Sequence, residues 1–227
     1  GLQIAATEKQ YDSATDLTVL SVLLTDIREE TLSQVTVASL GGSNLRHGPG
    51  TPIIAIGSPM GVSNSVNYGI VTSNGNMWST TDANYNLIMT DIYGSQNASG
   101  VLFNMQSQVV AIITTGKGSS DMKNIITGIG ITELTPVITQ MSNGEKRPYL
   151  GISGVDVTYQ ANSQTGVPFG AYVRNIEMNS PAMLAGMQRG DVISRLDEIE
   201  INNFGNYVNT LQKLRPGETV EISVQRQ

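Results

Sequence analysis

Short runs of apolar and β-branched residues, separated by clusters of turn residues, occupy most of the chain from Asp16 to Thr132. Runs of this length that are rich in valine, isoleucine and threonine are typical of β-strands. Several short strands at this spacing, with few helical segments between them, predict a sandwich or a barrel. The predicted strands are residues 16–24 (as a buried strand), 32–40, 51–59, 65–75, 86–92, 107–118 and 124–132, with a dense turn cluster at 41–50.

The pattern changes near residue 134, where one or two helical turns and then a polar linker closed by Pro148 are predicted. Two helix candidates follow. Residues 180–187 begin with a serine suited to the N-cap and a proline suited to the first helical position. Residues 203–214 place apolar side chains three and four positions apart, which is typical of an amphipathic helix. Strands flank both helices, so the pattern predicts a small α+β module.

Composition narrows the functional classes. Apolar residues make up 39% of the 227 residues and charged residues 14%, which favours a β-rich globular protein with an ample core. The net charge is −6 and no basic cluster exceeds Lys146-Arg147, so we expect neither a nucleic-acid partner nor an anionic-membrane partner. The chain has no cysteine, and it has neither metal-ligand spacing nor a phosphate-binding glycine loop, so no metal and no small-molecule cofactor is predicted.

Membrane segments and targeting signals are also absent from the pattern. No apolar run reaches the roughly 18 residues that a transmembrane helix needs. The chain begins at Gly1 without a methionine, which reads as a start inside a domain. We therefore expect an upstream segment that held a signal or a membrane anchor.

Seven motifs in order along the chain resemble the trypsin-like protease domain and the C-terminal PDZ domain of the HtrA (DegP-like) family. They are YDSATDLTVLSV, LRHGPGTPIIAIGSPMG, YGIVTS, TD…NASGVLFNMQSQVVAII, GIGI, RPYLGI and SPAMLAGMQRGDVI. The resemblance covers nearly the whole chain. It implies a mostly β fold, with a trypsin-like double β-barrel whose N-terminal barrel is incomplete, followed by an α+β PDZ domain. The implied domains are a protease domain at 1–140 (partial first barrel 1–56, second barrel 57–140), a linker at 141–148 and a PDZ domain at 149–227.

The resemblance also implies a catalytic triad in the order histidine, aspartate, serine. Asp16 stands at the aspartate position, although taken alone it also fits an ordinary turn or cap residue. The only histidine, His47, follows Asp16 in a turn and is interpreted as a surface loop residue. The triad histidine is expected upstream of Gly1.

The nucleophile position depends on how the segment TDIYGSQNASGVLFN is aligned with the family motif. Aligned from the downstream strand, without a gap, Ala98 falls on the catalytic serine and Asn97 on the asparagine before it. Aligned from the upstream Thr-Asp pair, the serine position falls on Ser99, which stays open as an alternative nucleophile. The downstream alignment matches more of the motif, so Ala98 is interpreted as the nucleophile position.

In this alignment the loop lacks both a nucleophile and the glycine of the oxyanion hole. An alanine methyl group has no lone pair with which to attack a carbonyl. The oxyanion-hole position falls on Gln96 and Asn97, with glutamine where the family has a glycine whose backbone N–H turns easily toward the substrate. We interpret the loop as that of a naturally degenerate protease, while glycine, serine and asparagine also suit a purely structural loop.

The PDZ-like segment needs no general base. Tyr149, Leu150, Gly151 and Ile152 match the family's carboxylate-binding loop, in which backbone N–H groups surround a peptide C-terminus. Gly151 lets the backbone close around the anion, and Leu150 and Ile152 are expected to line the socket for the last side chain. Val208 and Leu211 are candidates for the groove wall or for plain core packing, and the loop alone also fits the start of a buried strand.

Three functional hypotheses follow. The first is an HtrA-type serine endopeptidase fold that is proteolytically inactive and binds unfolded or C-terminal peptides through the PDZ groove. The second is an active extracytoplasmic serine protease whose histidine lies upstream and whose serine at position 98 was replaced by alanine. The third is a scaffold subunit in envelope assemblies. The resemblance implies a location outside the cytoplasm, in the cell envelope, and it fixes no oligomeric state for this chain.

Overall fold

The computed structural model of the protein describes residues 3–43, 48–114 and 124–226, so His47 lies outside the described residues. The strands are β1 Thr7–Asp12, β2 Leu17–Ser21, β3 Ser39–Leu40, β4 Pro52–Gly57, β5 Ser65–Thr80, β6 Ala83–Tyr93, β7 Gly100–Phe103, β8 Gln108–Thr114, β9 Ile125–Gly130, β10 Ile152–Asp156, β11 Ala171–Ile176, β12 Val192–Leu196, β13 Ile199–Glu200 and β14 Ile222–Gln225. The helices are α1 Glu29–Leu32, α2 Ile131–Asn143, α3 Tyr159–Thr165, α4 Pro181–Leu184 and α5 Phe204–Leu211, with a 3₁₀ turn at Leu24–Asp26.

The chain divides into two compact units, which are described separately. The first consists of Gly1–Trp78 and Tyr85–Gly144, and the second consists of Ser79–Asn84 and Glu145–Gln227. The tip of the β5–β6 hairpin thus belongs to the second unit, although the residues on either side of it in the sequence belong to the first. The predicted mostly β fold, with a barrel followed by an α+β module, is confirmed.

A closed six-stranded barrel forms the centre of the first unit. Its strands run in the order β8-β7-β4-β5-β6-β9, and β9 pairs back with β8, while β3 adds to β8 in parallel. The predicted boundary between a partial first barrel ending at 56 and a second barrel starting at 57 falls inside β4. That strand pairs along its length with β5 and β7, so it lies in the closed barrel. The barrel core consists of Ile53, Ala55, Val71, Ile88, Ile92, Ala98, Leu102, Val110, Ala111, Ile113 and Ile126.

The strands β1 and β2 form a separate two-stranded sheet. The prediction of a buried strand at 16–24 is wrong, because β2 ends at Ser21 and its residues alternate between partly covered and exposed. Helix α2 packs against β1 and β2. Alternate side chains such as Leu20, which is 60% exposed, therefore point away from that cover.

Helix α2 is longer than predicted. It begins at Ile131, inside the stretch assigned to a strand, and it runs to Asn143, three residues into the stretch assigned to the 141–148 linker. Its buried residues recur three and four positions apart and include Leu134 and Met141. Gly144 ends the helix in a left-handed conformation, with its N–H bonded to Met141 O.

The second unit is built on a five-stranded antiparallel sheet in the order β10-β11-β12-β13, with β14 also on β12. Both predicted helices are confirmed as α4 and α5. Ser180 Oγ accepts from Met183 N at 3.2 Å and Asn203 Oδ1 accepts from Asn206 N at 2.7 Å, so each helix has the cap that the sequence indicated. The core of this unit consists of Leu150, Ile152, Ala171, Val173, Ala182, Ile193, Leu196, Ile201, Phe204, Tyr207, Val208 and Leu211.

Candidate functional site

The candidate nucleophile loop is residues 94–99, between β6 and β7. Ala98 is 7% exposed, and its methyl group packs in the core of the barrel. Gln96 and Asn97 form the turn before it and are exposed. The side chain at the predicted nucleophile position therefore faces the barrel interior, whereas an attacking oxygen must face a substrate.

The backbone amides of the nucleophile loop are directed at the loop itself. Ala98 N donates to Ser95 O at 3.0 Å, and Asn97 N donates to Ser95 Oγ at 3.1 Å. An oxyanion hole requires such N–H groups to point at the developing oxyanion. In this conformation two of the amides nearest the nucleophile position are already paired within the loop.

Ser99 carries the nearest hydroxyl group, and it is exposed. Its Oγ lies 2.7 Å from Ser58 Oγ, and its carbonyl accepts from Ser58 N at 2.8 Å. An activated serine needs a neighbouring base that can take its proton, as an imidazole does. Another serine hydroxyl is no stronger a base than the one it would activate, so Ser58 does not supply that base.

A close backbone approach fixes the end of the nucleophile loop. Gly100 has a φ of +129°, and a Cβ atom there would lie 2.1 Å from Ile56 O. Only glycine fits this position without displacing β4. The close approach of Gly100 to β4 therefore fixes the local shape of the loop.

Asp16, the predicted triad aspartate, lies in the turn between β1 and β2. It is exposed, with a left-handed φ of 59°. Tyr11 Oη donates to Asp16 Oδ1 at 2.9 Å, and this hydrogen bond raises the pKa of the Tyr11 hydroxyl. Asp16 therefore pairs with Tyr11, whereas the Ser99 hydroxyl pairs with Ser58.

The predicted carboxylate-binding loop is arranged quite differently. Gly151 has a φ of +88°, and a Cβ atom there would lie 2.2 Å from the Cβ of Ser180, the residue that caps α4. The backbone can make this turn only because position 151 is glycine. As a result, the N–H groups of Leu150, Gly151 and Ile152 converge on one point and form an anion-binding nest.

That point is occupied by a carboxylate from the β5–β6 hairpin tip. Leu150 N and Gly151 N donate to Asp82 Oδ2 at 2.7 and 2.6 Å, and Ile152 N donates to Asp82 Oδ1 at 3.1 Å. Tyr207 Oη, on α5, donates to Asp82 Oδ1 at 2.5 Å. Burial raises the pKa of Tyr207 well above its ordinary value, so this hydroxyl stays a donor across the physiological range.

Sequence analysis missed Asp82 and the polar role of Tyr207. An aspartate between two strands reads as a turn residue, and a tyrosine at helical spacing reads as an apolar core residue. Neither position carries a local signal for anion binding, because the carboxylate and the nest are 68 to 70 positions apart in the chain.

The remaining predicted groove residues separate into two sets. Leu150 and Leu211 line a cavity of about 590 Å³, together with Leu214 and residues of α4 and the β14 region. Ile152 and Val208 do not line this cavity, although all four residues belong to the core of the unit. Tyr149 lies at the cavity rim, 52% exposed, and its partial burial near Glu177 and Asp82 raises the pKa of its hydroxyl.

A second buried carboxylate, that of Asp191, forms an ion pair in the sheet of the second unit. Asp191 is 1% exposed, and it accepts from Arg226 at 2.7 and 2.8 Å and from Gln188 N at 2.8 Å. The hydrogen bond from Arg226 lowers the pKa of Asp191. This pair serves the fold, because Arg226 follows β14 and its ion pair ties the end of that strand to Asp191, directly before β12.

Neither metal binding nor a membrane span is indicated in the described part of the chain. Among residues 3–43, 48–114 and 124–226, no group of three histidine or acidic side chains is placed to hold a metal ion. None of the helices in those ranges has the length and apolar content that a bilayer crossing requires.

Comparison with known proteins assigns both units. A trypsin-like peptidase domain model matches residues 1–112, and a PDZ domain model matches residues 148–227. The chain is 30% identical over its whole length to the "Serine protease Do-like HtrA" of Bacillus subtilis and covers 53% of that protein. It is 32% identical, over 95% of its length, to the "Probable periplasmic serine endoprotease DegP-like" of Hahella chejuensis and covers 45% of that protein.

A solved HtrA-type protease structure has a similar fold. The "HtrA-type protease AlgW with decapeptide" is 26% identical with a TM-score of 0.67, and the match covers 100% of this chain and 69% of the other. The chain spans about half the length of the curated relatives it matches.

Proposed function

The chain belongs to the HtrA family of serine proteases, and we propose that it binds the C-termini of peptides or misfolded proteins through its PDZ domain without cleaving them. The family combines a trypsin-like domain with a PDZ domain, and both are present here. Of these two domains, only the second keeps the arrangement that its chemistry needs.

The convergence of three consecutive amides carries the proposal. The N–H groups of Leu150, Gly151 and Ile152 all donate to one carboxylate, at 2.6 to 3.1 Å. A peptide C-terminus presents the same two oxygens with the same charge. The nest therefore favours a carboxylate over a backbone amide, because an amide offers a single uncharged oxygen.

The surroundings of the nest suit an extended peptide. Strand β10 begins at Ile152 and lies at the end of its sheet, so its outer edge can accept an added strand. The cavity lined by Leu150 and Leu211 lies beside the nest, where it suits an apolar last side chain. The solved structure of the similar HtrA-type protease contains a decapeptide, which supports the same class of ligand for this chain.

The absence of cleavage is inferred from the nucleophile loop. The side chain at position 98 is a buried methyl group, and the hydroxyl at position 99 is paired with a second serine. Loss of the nucleophile in a serine protease lowers the rate on the order of 10⁶-fold. We therefore propose that binding, rather than hydrolysis, is what this chain retains.

We further infer an extracytoplasmic location. A similar protein of Hahella chejuensis is described as periplasmic, and the chain has no cysteine to favour one redox compartment. The membrane anchor stays a prediction.

Fluorescence polarisation tests the binding. A fluorescein-labelled peptide that ends in leucine with a carboxylate should bind the chain saturably, and the same peptide with an amidated C-terminus should bind at least tenfold more weakly. Equal affinity for the two forms would contradict recognition through the nest.

A further inference from the structure

We propose that Asp82 is a built-in ligand of the carboxylate nest, so that a peptide C-terminus binds only by displacing the β5–β6 hairpin tip. This inference rests on the proposed function, because it assigns the same nest to two competing carboxylates. The segment that would be displaced is the hairpin tip, Ser79–Asn84, which groups with the second unit.

The side chain of Asp82 reproduces the end group of a peptide. Both of its oxygens are used, with Oδ2 accepting from Leu150 N and Gly151 N, and Oδ1 accepting from Ile152 N and Tyr207 Oη. A carboxylate with four short hydrogen bonds satisfies all four donors. No further acceptor is needed while Asp82 is in place, so a peptide and Asp82 exclude each other.

The backbone of Asp82 also imitates a bound strand. Asp82 N donates to Ile152 O at 2.8 Å, on the outer edge of β10. In β-augmentation the added peptide makes main-chain hydrogen bonds of this kind to the sheet edge. With a left-handed φ of 51° at Asp82, its N–H and its Oδ1 both reach the same residue, Ile152.

Two neighbouring contacts hold the hairpin tip in register. Thr81 Oγ1 donates to Glu177 Oε1 at 2.9 Å, and Gln212 Nε2 lies 3.5 Å from Asp82 O. Asp82 itself is only 3% exposed. The tip is therefore seated, rather than lying loosely across the groove.

The four donors to Asp82 are all neutral groups, namely three amides and a phenol. An incoming peptide carboxylate would replace one negative charge by another and leave the charge of the nest unchanged. Whether a peptide replaces Asp82 then depends on which of the two carboxylates binds the nest with the more favourable free energy. The apparent affinity falls in proportion to the fraction of molecules whose nest is occupied internally.

A single isosteric change tests the competition. Asparagine tolerates the left-handed turn, but it offers one oxygen and no charge where aspartate offers two oxygens. The Asp82→Asn variant should therefore bind the leucine-terminated peptide with a carboxylate about tenfold or more tightly than the unaltered chain, and the amidated peptide should not gain.

Asp197→Asn is the matched control. Asp197 also has a left-handed φ, of 49°, at a hairpin turn of the same unit, and its Oδ1 accepts from Glu221 N at 2.8 Å. It is exposed and takes no part in the nest. The control should leave peptide affinity unchanged, which separates removal of the internal ligand from a general loss of negative charge.

Hydrogen exchange on the unaltered chain provides a test that needs no variant. Saturation with the carboxylate peptide should accelerate exchange of the Asp82 amide, because that N–H loses its bond to Ile152 O, and the amidated peptide should not. Unchanged exchange at Asp82 in a chain that has bound peptide would overturn the proposal. So would equal affinity of Asp82→Asn and the unaltered chain, and in both cases peptide binding itself would stand. If neither protein bound the peptide, the proposed function would fail, and this inference with it.

Discussion

The nucleophile loop and the carboxylate nest address the same problem, which is to present backbone N–H groups to an oxyanion. In the nest, three amides converge on one carboxylate. In the nucleophile loop, the amides of Asn97 and Ala98 are bonded to Ser95. The two regions show that backbone N–H groups in a short loop can either converge on a carboxylate or pair within the loop itself.

A single residue type accounts for much of the difference. Gly151 takes a φ of +88° that an L side chain rarely adopts, and this turn aligns its neighbours' amides. In the nucleophile loop, the oxyanion-hole position predicted for the family's glycine is Gln96, which is not among the residues with a left-handed φ. Substitutions in either loop, or in the units that carry them, test this difference.

The largest effect is expected from Gly151→Ala. A Cβ atom at this position would lie 2.2 Å from Ser180 Cβ and would strain the left-handed backbone. We expect peptide affinity to fall by at least a hundredfold and stability to fall by about 2–4 kcal/mol. Gly166→Ala is the matched control, since φ there is +72° with nothing within 4 Å, and Gly166 does not line the cavity. It should cost about 1 kcal/mol and leave binding intact, and a similar loss of binding in both variants would contradict the nest.

Removal of Arg226 should weaken the second unit in a pH-dependent way. The pKa of Asp191 is lowered in the folded protein, chiefly by its hydrogen bond from Arg226. The resulting stability is present above the unfolded pKa of about 4 and is lost as the pH falls through the lower folded value. Arg226→Gln should therefore destabilise the unit by about 1–3 kcal/mol near neutral pH and by much less in acid.

Urea denaturation at several pH values, followed through amide resonances of the second unit, measures this difference. A destabilisation by Arg226→Gln that stays constant into strong acid would contradict the assigned ion pair. The resonances of the barrel serve as the internal control.

A serine at position 98 distinguishes two hypotheses: a protease that lost its activity naturally, and an active protease in which the serine was replaced by alanine. Because this side chain faces the barrel core, Ala98→Ser should bury a hydroxyl and destabilise the barrel by about 1–2 kcal/mol. It should also yield no cleavage of unfolded casein. Cleavage by the variant would show that only the serine was missing.

The smallest effect is expected from Ser99→Ala. It removes the hydrogen bond to Ser58 Oγ on an exposed loop, so stability should fall by no more than about 1 kcal/mol. Ser58→Ala should match it, because each variant breaks the same bond. Thermal unfolding of the two variants checks this equivalence.

Features that depend on neighbouring residues in the chain, such as helix caps, could be predicted from the sequence. The caps at Ser180 and Asn203 gave the starts of α4 and α5, because a side-chain oxygen before an apolar periodic run is a local signal. Helix α3 was missed because it is a polar segment with no buried residue, capped by Thr158 and ended by Gly166. Its stability depends on its ends rather than on an apolar stripe.

Tertiary partners could not be predicted in the same way. Asp16, Asp82 and Asp197 all lie in left-handed turns, with φ values of 59°, 51° and 49°. Locally they are equivalent, yet one meets a tyrosine, one meets a nest and one meets a strand amide. Only the fold distinguishes them, so the internal ligand of the nest became visible only in the structure.

The most direct test of binding without hydrolysis follows one labelled peptide in a single mixture. The chain is saturated with the leucine-terminated peptide, binding is confirmed by polarisation, and the peptide is then analysed by mass spectrometry alongside a trypsin digest. We predict that the peptide stays bound and intact after trypsin has consumed its own sample. Fragments whose formation stops in the Ser99→Ala variant would contradict this prediction, because they would show that the serine pair conceals a working nucleophile.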